Sequence, residues 1–274
     1  FGQPSCDFGA VGSLSLRDAG ISALPASIGR FSALLSLDLD NNALSSLPPE
    51  IAALSQLQQL TARNNNFAAL PVELATAWSR QLTLLDLTGN PVAHTLDWSN
   101  QQLSYKTFPS VVKFLSRTLQ TLIVRNNQLT TVPDVVLSLS QLTTLDISNN
   151  GLTTLPDSLR QSLPLMQRLN ISQNLIQQIP ATVVLNQWTE LASLDLRWNA
   201  FTPDTHLPPS LSLLPPGCEL LLAGNPYIFA LGALALLWMN LISRVFRRLA
   251  VGRDYQSHHR RLRFPVPDRL AGRS

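Results

Sequence analysis

Between Leu142 and Pro156 the chain reads LTTLDISNNGLTTLP, with apolar residues at Leu142, Leu145, Ile147, Leu152 and Leu155 and an asparagine at Asn150. That spacing follows neither the 3.6-residue period of a helix nor the two-residue period of a strand. It recurs in steps of about 23 residues, which marks an array of repeated units. Copies begin at Val11, Leu34, Leu57, Leu82, Leu119, Leu142, Met166 and Leu191, with a fragment from Gly217. The asparagine position reads Asn42, Asn65, Asn90, Asn127, Asn150, Asn174, Asn199 and Asn225, and only the first copy departs, with Ala19.

Each residue type has a physical task at its spacing. In the L-x-L core two leucines point inward from a short strand while the residue between them points to the other face. One copy cannot bury its leucines alone, so neighbours must cover one another in a one-dimensional stack. The asparagine carries amide donors and a carbonyl acceptor, which suits it to the backbone of the turn after each strand. Proline follows leucine at Leu24-Pro25, Leu47-Pro48 and Leu70-Pro71. Lacking an N–H, it belongs on the return arm, outside the sheet, and segments such as PEIAALSQL are expected to form short helical turns there.

On these residues the chain resembles the leucine-rich repeat family, in the 23-residue type with a Leu-Pro-x-x-Ile segment. The resemblance covers residues 11 to 227. It implies an α/β solenoid, or horseshoe, with a parallel β-sheet on the concave face and an internal ladder of asparagines. Residues 1–10 are expected to cover the edge of the first strand. The fourth copy runs 37 residues, Leu82 to Thr118, and holds an irregular insertion at about 93–118. Within it Leu96-Asp97-Trp98 and Leu103 imitate a further strand, and SVVKFLSRTL reads as a helical segment. Excursions of this length are either functional or an eroded, double-length repeat.

The net charge of +3 conceals two opposite parts. Residues 1–242 hold 11 Lys or Arg against 15 Asp or Glu, a net of −4, and residues 243–274 hold nine Arg against two Asp, a net of +7. The basic balance belongs to the tail, so the array itself offers no footprint for nucleic acid. Cys6 and Cys218 lie at opposite ends of a stack of strands about 4.8 Å apart, too distant for a bond that needs Cα atoms within about 7 Å. The chain begins at Phe1 without a Met, a basic n-region or an apolar h-region, so either a leader has been removed or the sequence is a fragment.

In the resembled family the residues between the leucines line the concave face. One column contains Asp38, Asp86, Asp146, Asn170 and Asp195, and its neighbour contains Arg17, Asp40, Arg63, Arg125 and Arg197, with Trp198 adjoining as an aromatic anchor. These eleven residues are the candidate contacts for a protein or peptide, because guanidinium groups recognise carboxylates bidentately and aromatic residues anchor interfaces. The plainer reading is that Asp and Arg pair across adjacent strands and keep the face solvated. Asn170-Ile171-Ser172 is the only N-x-S/T sequon, and its place on a strand argues against a glycan.

Residues 228–242, IFALGALALLWMNLI, are apolar on every side, and counting from Tyr227 to Phe246 gives 20 residues, enough for a membrane-spanning helix. Arg244, Arg247, Arg248 and Arg253 follow at once, and positive charge marks the cytoplasmic side. The expectation is therefore a C-terminal apolar helix at 228–246, a plasma-membrane location with the repeats outside, and a basic, disordered tail at 247–274 able to attract anionic lipid. The competing reading is a buried cap helix on a cytoplasmic protein.

No G-x-S-x-G, phosphate-cradling loop or H-E-x-x-H occurs, and His94, His206, His258 and His259 belong to no ligand motif. The chain thus reads as no enzyme, with no cofactor and no metal. The function expected is a membrane-anchored recognition module in signalling, similar to the ectodomain and membrane span of a leucine-rich repeat receptor-like protein. The alternatives are a receptor kinase cut before its catalytic domain and an intracellular scaffold.

Overall fold

The computed structural model describes residues 8–183, 185–202, 211 and 213–226. Cys6, the apolar run at 228–246 and the tail at 247–274 lie outside the described residues. No helix among the described residues is long and apolar enough to cross a membrane.

Ten three-residue strands carry the array: β1 Ser13–Ser15, β2 Ser36–Asp38, β3 Gln59–Thr61, β4 Leu84–Asp86, β5 Thr95–Asp97, β6 Thr121–Ile123, β7 Thr144–Asp146, β8 Arg168–Asn170, β9 Ser193–Asp195 and β10 Glu219–Leu221. Every pairing is parallel and joins sequence neighbours, with leucine set against leucine: Leu14, Leu37, Leu60 and Leu85 in one row, and Leu96, Leu122, Leu145, Leu169, Leu194 and Leu220 in another. The rows are buried from Leu37 onward, and the convex arms close over them. Three short helices, α1 Val72–Trp78, α2 Asp134–Leu137 and α3 Leu159–Ser162, and several 3-10 turns form that side. Pro25, Pro48, Pro71 and Pro133 stand immediately before their turns with φ between −72° and −56° and extended ψ, a conformation the ring favours and which releases no orphan N–H.

The asparagines stitch the coils together. The Asn65 side-chain amide donates to the Leu39 carbonyl one coil earlier and to the Ala62 carbonyl of its own coil, while its oxygen accepts the Leu44 N–H. Asn42, Asn90, Asn127, Asn150, Asn174 and Asn199 repeat this arrangement. The residue before each ladder asparagine turns the chain through the left-handed region. Asn41, Asn64, Asn126 and Asn149 do so at φ of 51–57°, and Gly89 at 80°. Asparagine and glycine enter that region with the least penalty.

The array is interrupted once. Strands β1–β4 form one sheet and β5–β10 another, and no strand hydrogen bonds join β4 to β5. The cause lies in the length of the fourth coil. Leu85 and Leu96, equivalent positions of β4 and β5, are only 11 residues apart, so this coil has no convex arm. A 3-10 turn at Pro91–Ala93 replaces it, with Val92 and Ala93 fully buried and the Val92 N–H donating to the Phe67 carbonyl. The 3-10 turn at Ser110–Leu115 then packs directly on α1 of the third coil, across the armless fourth. Two side chains bridge the junction: Trp98 Nε1 donates to the Leu70 carbonyl at 2.7 Å, and the Ser110 hydroxyl donates to the Ser79 carbonyl at 3.1 Å. At the ladder position of the β5 coil stands Gln101, whose amide donates to the Ser99 carbonyl and does not reach the preceding coil.

Candidate functional site

On the concave face the structure gives most of the expected contact residues an internal task. A carboxylate or amide oxygen in the central column accepts the N–H two residues on and so closes the turn that leaves each strand. Asp38 takes the Asp40 N–H, Asp86 the Thr88 N–H, Asp146 the Ser148 N–H, Asn170 the Ser172 N–H and Asp195 the Arg197 N–H, at 2.9–3.1 Å. The remaining acceptor capacity is also used. Asp38 accepts the Ser15 and Thr61 hydroxyls, and the Ser148 hydroxyl lies 2.6 Å from Asp146. Asn170 donates to Asp146 at 3.2 Å and accepts the Ser172 hydroxyl at 2.7 Å, so the sequon asparagine is bonded on both sides of its amide.

Three of the five arginines on this face are spoken for; Arg168, which shares the outward side of β8 with Asn170, is exposed and makes no ion pair among the described residues. Arg17 reaches Asp40 on the neighbouring strand at 3.1 Å and Asp18 beside it at 3.3 Å. Arg63 meets Asp86 across β3 and β4 at 2.7 Å. Arg197 folds back on Asp195 of its own strand, with Nη2 at 2.7 Å and Nε between the two oxygens. Asp40 is 3% exposed and also accepts the Arg63 N–H, which makes it a structural carboxylate. Burial pushes the Asp38 and Asp86 carboxyls up. The hydrogen bonds and the adjoining guanidinium groups outweigh that effect, and both groups sit below the ordinary carboxylate value. The bond to Asp86 raises Arg63, and the bond to Asp195 raises Arg197.

Arg125 and Trp198 differ from the rest. Arg125 is exposed, and among the described residues its guanidinium makes no ion pair. The reason is local: the position two before it is Ile123, where Asp195 stands before Arg197, so no carboxylate of its own strand faces it. Trp198 is 60% exposed and occupies the left-handed region at φ 55°. Its indole lies over Gly224 of the next coil so closely that a Cβ there would come within 2.4 Å of the ring. Between Arg125 and Arg197, which Trp198 adjoins, the column holds Ser148 and Ser172, both buried. The structure adds Asp97 of β5, Ser99 just after it and Arg168 of β8 to the face. The leucine-aspartate step at Leu96-Asp97 was the signal for the first two, obscured by the short coil that precedes it.

Two leucine-rich repeat profiles match this sequence, one over residues 117–176 and 140–201 and the other over 33–54. Over those residues the coils match leucine-rich repeats, and the array has a solenoid-like α/β fold with parallel sheets. Comparison with curated proteins gives no match. Among solved structures, a leucine-rich repeat protein of Leptospira interrogans is 31% identical over 74% of this chain and 46% of its own, with a TM-score of 0.41. The ectodomain of a plant membrane receptor kinase from Arabidopsis thaliana, in complex with Casparian strip integrity factor 2, is 24% identical over 74% of this chain and 23% of its own, with a TM-score of 0.38. Internalin C2 of Listeria monocytogenes is 20% identical over 78% of this chain and 82% of its own, with a TM-score of 0.40. The chain spans less than half the length of the first structures it matches.

Proposed function

We propose that this leucine-rich repeat chain is a protein-recognition module that binds an extended protein or peptide segment along the concave face of β6 to β9. The observation that carries the reading is Arg125 beside Ile123, exposed and without an ion pair among the described residues, on a stretch of the face that also holds the exposed Arg168 and ends at the exposed Trp198. A guanidinium with no internal partner and a large exposed ring are the features that interface hot spots share, whereas Arg17, Arg63 and Arg197 are already engaged. Of the eleven candidate contacts, Arg125 and Trp198 are the principal pair, and Arg197 is a neighbour. Asp38, Asp86, Asp146, Asn170 and Asp195 hold turns, Asp40 ties its coil to the Arg63 N–H of the next, and Arg17 and Arg63 keep that half of the face charge-balanced.

The test is selection of peptides from a random display library against the full chain, followed by binding to variants. Arg125→Glu and Trp198→Ala should each weaken the selected peptides at least tenfold, while the convex change Glu50→Lys leaves them unaffected. Binders that ignore both concave variants would overturn the reading.

We also propose that the run at 228–246 anchors the protein in a membrane, with the module serving in signalling. Its length, its all-round apolarity and the arginines after it support this. Full-length protein is expected to remain in the pellet after carbonate washing, and release into the supernatant would refute anchoring.

A further inference from the structure

We infer that the flank of the solenoid beside the irregular coil is a second binding site, built for a neutral polyhydroxylated ligand of the oligosaccharide class. It lies on the descending arm after the asparagine turns, away from the concave face. Residues from three coils meet there around an open groove of about 690 Å³. That size is within the range of about 300–1,000 Å³ usual for small-molecule sites.

The wall of the groove is Tyr105. The irregular coil places it where the second coil has Ser46 and the third has Ala69, and no Leu-Pro step follows it. Its side chain is 46% exposed, and its hydroxyl donates to Asp134 Oδ2 in the next coil at 2.8 Å. The polar tip is thereby used and the ring is held in place, so its apolar face is available without ordering a mobile side chain on binding. That hydrogen bond also holds the phenol above its ordinary value, consistent with a persistent tether. Val132 and Pro156 add further apolar lining.

The polar lining is of one kind. Thr130 and Thr131 present exposed hydroxyls whose hydrogen-bonding capacity no side chain of the described residues takes up, and the Gln128 amide is equally open. Hydroxyls can donate or accept, and a carboxamide does both, which matches the alternating demands of sugar hydroxyls. Lys106 and Asp134 contribute one charge of each sign, so the groove has no net charge with which to hold an anion. The corresponding pair is Ser45-Ser46 in the second coil, Ala68-Ala69 in the third and Gln177-Gln178 in the eighth, where the sixth and seventh have Thr130-Thr131 and Thr153-Thr154, so what sets the groove apart is the aromatic ring of Tyr105 beside the polar pairs. A flat apolar platform opposite uncharged hydroxyl and amide groups fits a pyranose, which presents C–H groups on its faces and hydroxyls at its rim.

The experiment is saturation-transfer NMR on the full chain with cellohexaose, laminarihexaose and maltohexaose as neutral probes and a heparin hexasaccharide as an anionic one. At least one neutral probe should show transfer to its ring protons. Tyr105→Ala should weaken it at least tenfold, Tyr105→Phe several-fold, and Thr131→Val several-fold with the fold undisturbed. Arg125→Glu on the concave face should have no effect, which separates this site from the one proposed above. Absence of transfer to all three neutral probes would overturn the assignment. So would equal binding in Tyr105→Ala and Thr131→Val, or binding of the heparin fragment alone.

Discussion

The side-chain amide of Asn65 donates to the main-chain carbonyl of Leu39 at 2.9 Å, joining two coils through a buried bond that the strands themselves do not supply. With the same side chain accepting the Leu44 N–H, Asn65→Ala leaves that N–H unpaired in a dry interior, while the Leu39 and Ala62 carbonyls keep the amides of Asn42 and Asn90. An unpaired buried N–H costs about 1–3 kcal/mol. The expected loss of stability is about 1–3 kcal/mol, read by urea denaturation. A loss under about 1 kcal/mol would show that water replaces the amide.

Gly89 and Gly20 both have positive φ, at 80° and 65°, but their surroundings differ. A Cβ at Gly89 would fall 2.2 Å from Asn64 Oδ1 and 3.1 Å from its backbone nitrogen, whereas at Gly20 it meets open space. Gly20→Ala should therefore cost only the left-handed penalty of about 1–2 kcal/mol. Gly89→Ala should cost more, and the difference between the two thermal midpoints measures the steric part.

Gly224→Ala applies the same argument to the candidate site. The added methyl takes the place of the Trp198 ring, so the indole must swing into solvent. Tryptophan fluorescence should shift to the red, and selected concave-face peptides should bind more weakly, as they should to Trp198→Ala.

The carboxylates of Asp38 and Asp86 have folded values below the ordinary one. A lowered carboxyl contributes stability that is present above its unfolded value and lost as pH falls through the folded one. The melting temperature should thus hold near neutrality and decline below about pH 4, where an ordinary aspartate begins to protonate. The double variant Asp38→Asn with Asp86→Asn retains the oxygen that closes each turn and should show a flatter decline.

Three buried tryptophans provide an internal comparison. Trp98 and Trp188 donate to the Leu70 and Leu163 carbonyls, each at 2.7 Å, whereas Trp78 Nε1 is buried without a hydrogen-bond partner. Replacement by Phe should cost about 1–3 kcal/mol more at Trp98 and Trp188 than at Trp78, since only those two leave a carbonyl unpaired. Equal losses at all three sites would mean that volume alone governs these positions.

The coils, their helical returns and the asparagine ladder were legible in the sequence because each is fixed by one residue type in phase. Asp146 shows what was not. In a column it reads as a contact, yet its carboxylate is turned onto the Ser148 N–H and hydroxyl, a bond between residues two apart that a 23-residue phase does not display. Arg63 and Arg125 look equivalent in the sequence, and only the register of β3 against β4 shows that the first meets Asp86 and the second meets no carboxylate. The groove at Tyr105 is assembled from three coils, so no single segment announces it.

Because the sheet and the amide ladder both stop between β4 and β5, the molecule has a seam that thermal fraying will find from either side. Amide exchange should resolve two blocks of protection meeting near Leu87, with Trp98 as the main rivet between them. Cutting that rivet with Trp98→Phe should let the first four coils open independently of the remaining six.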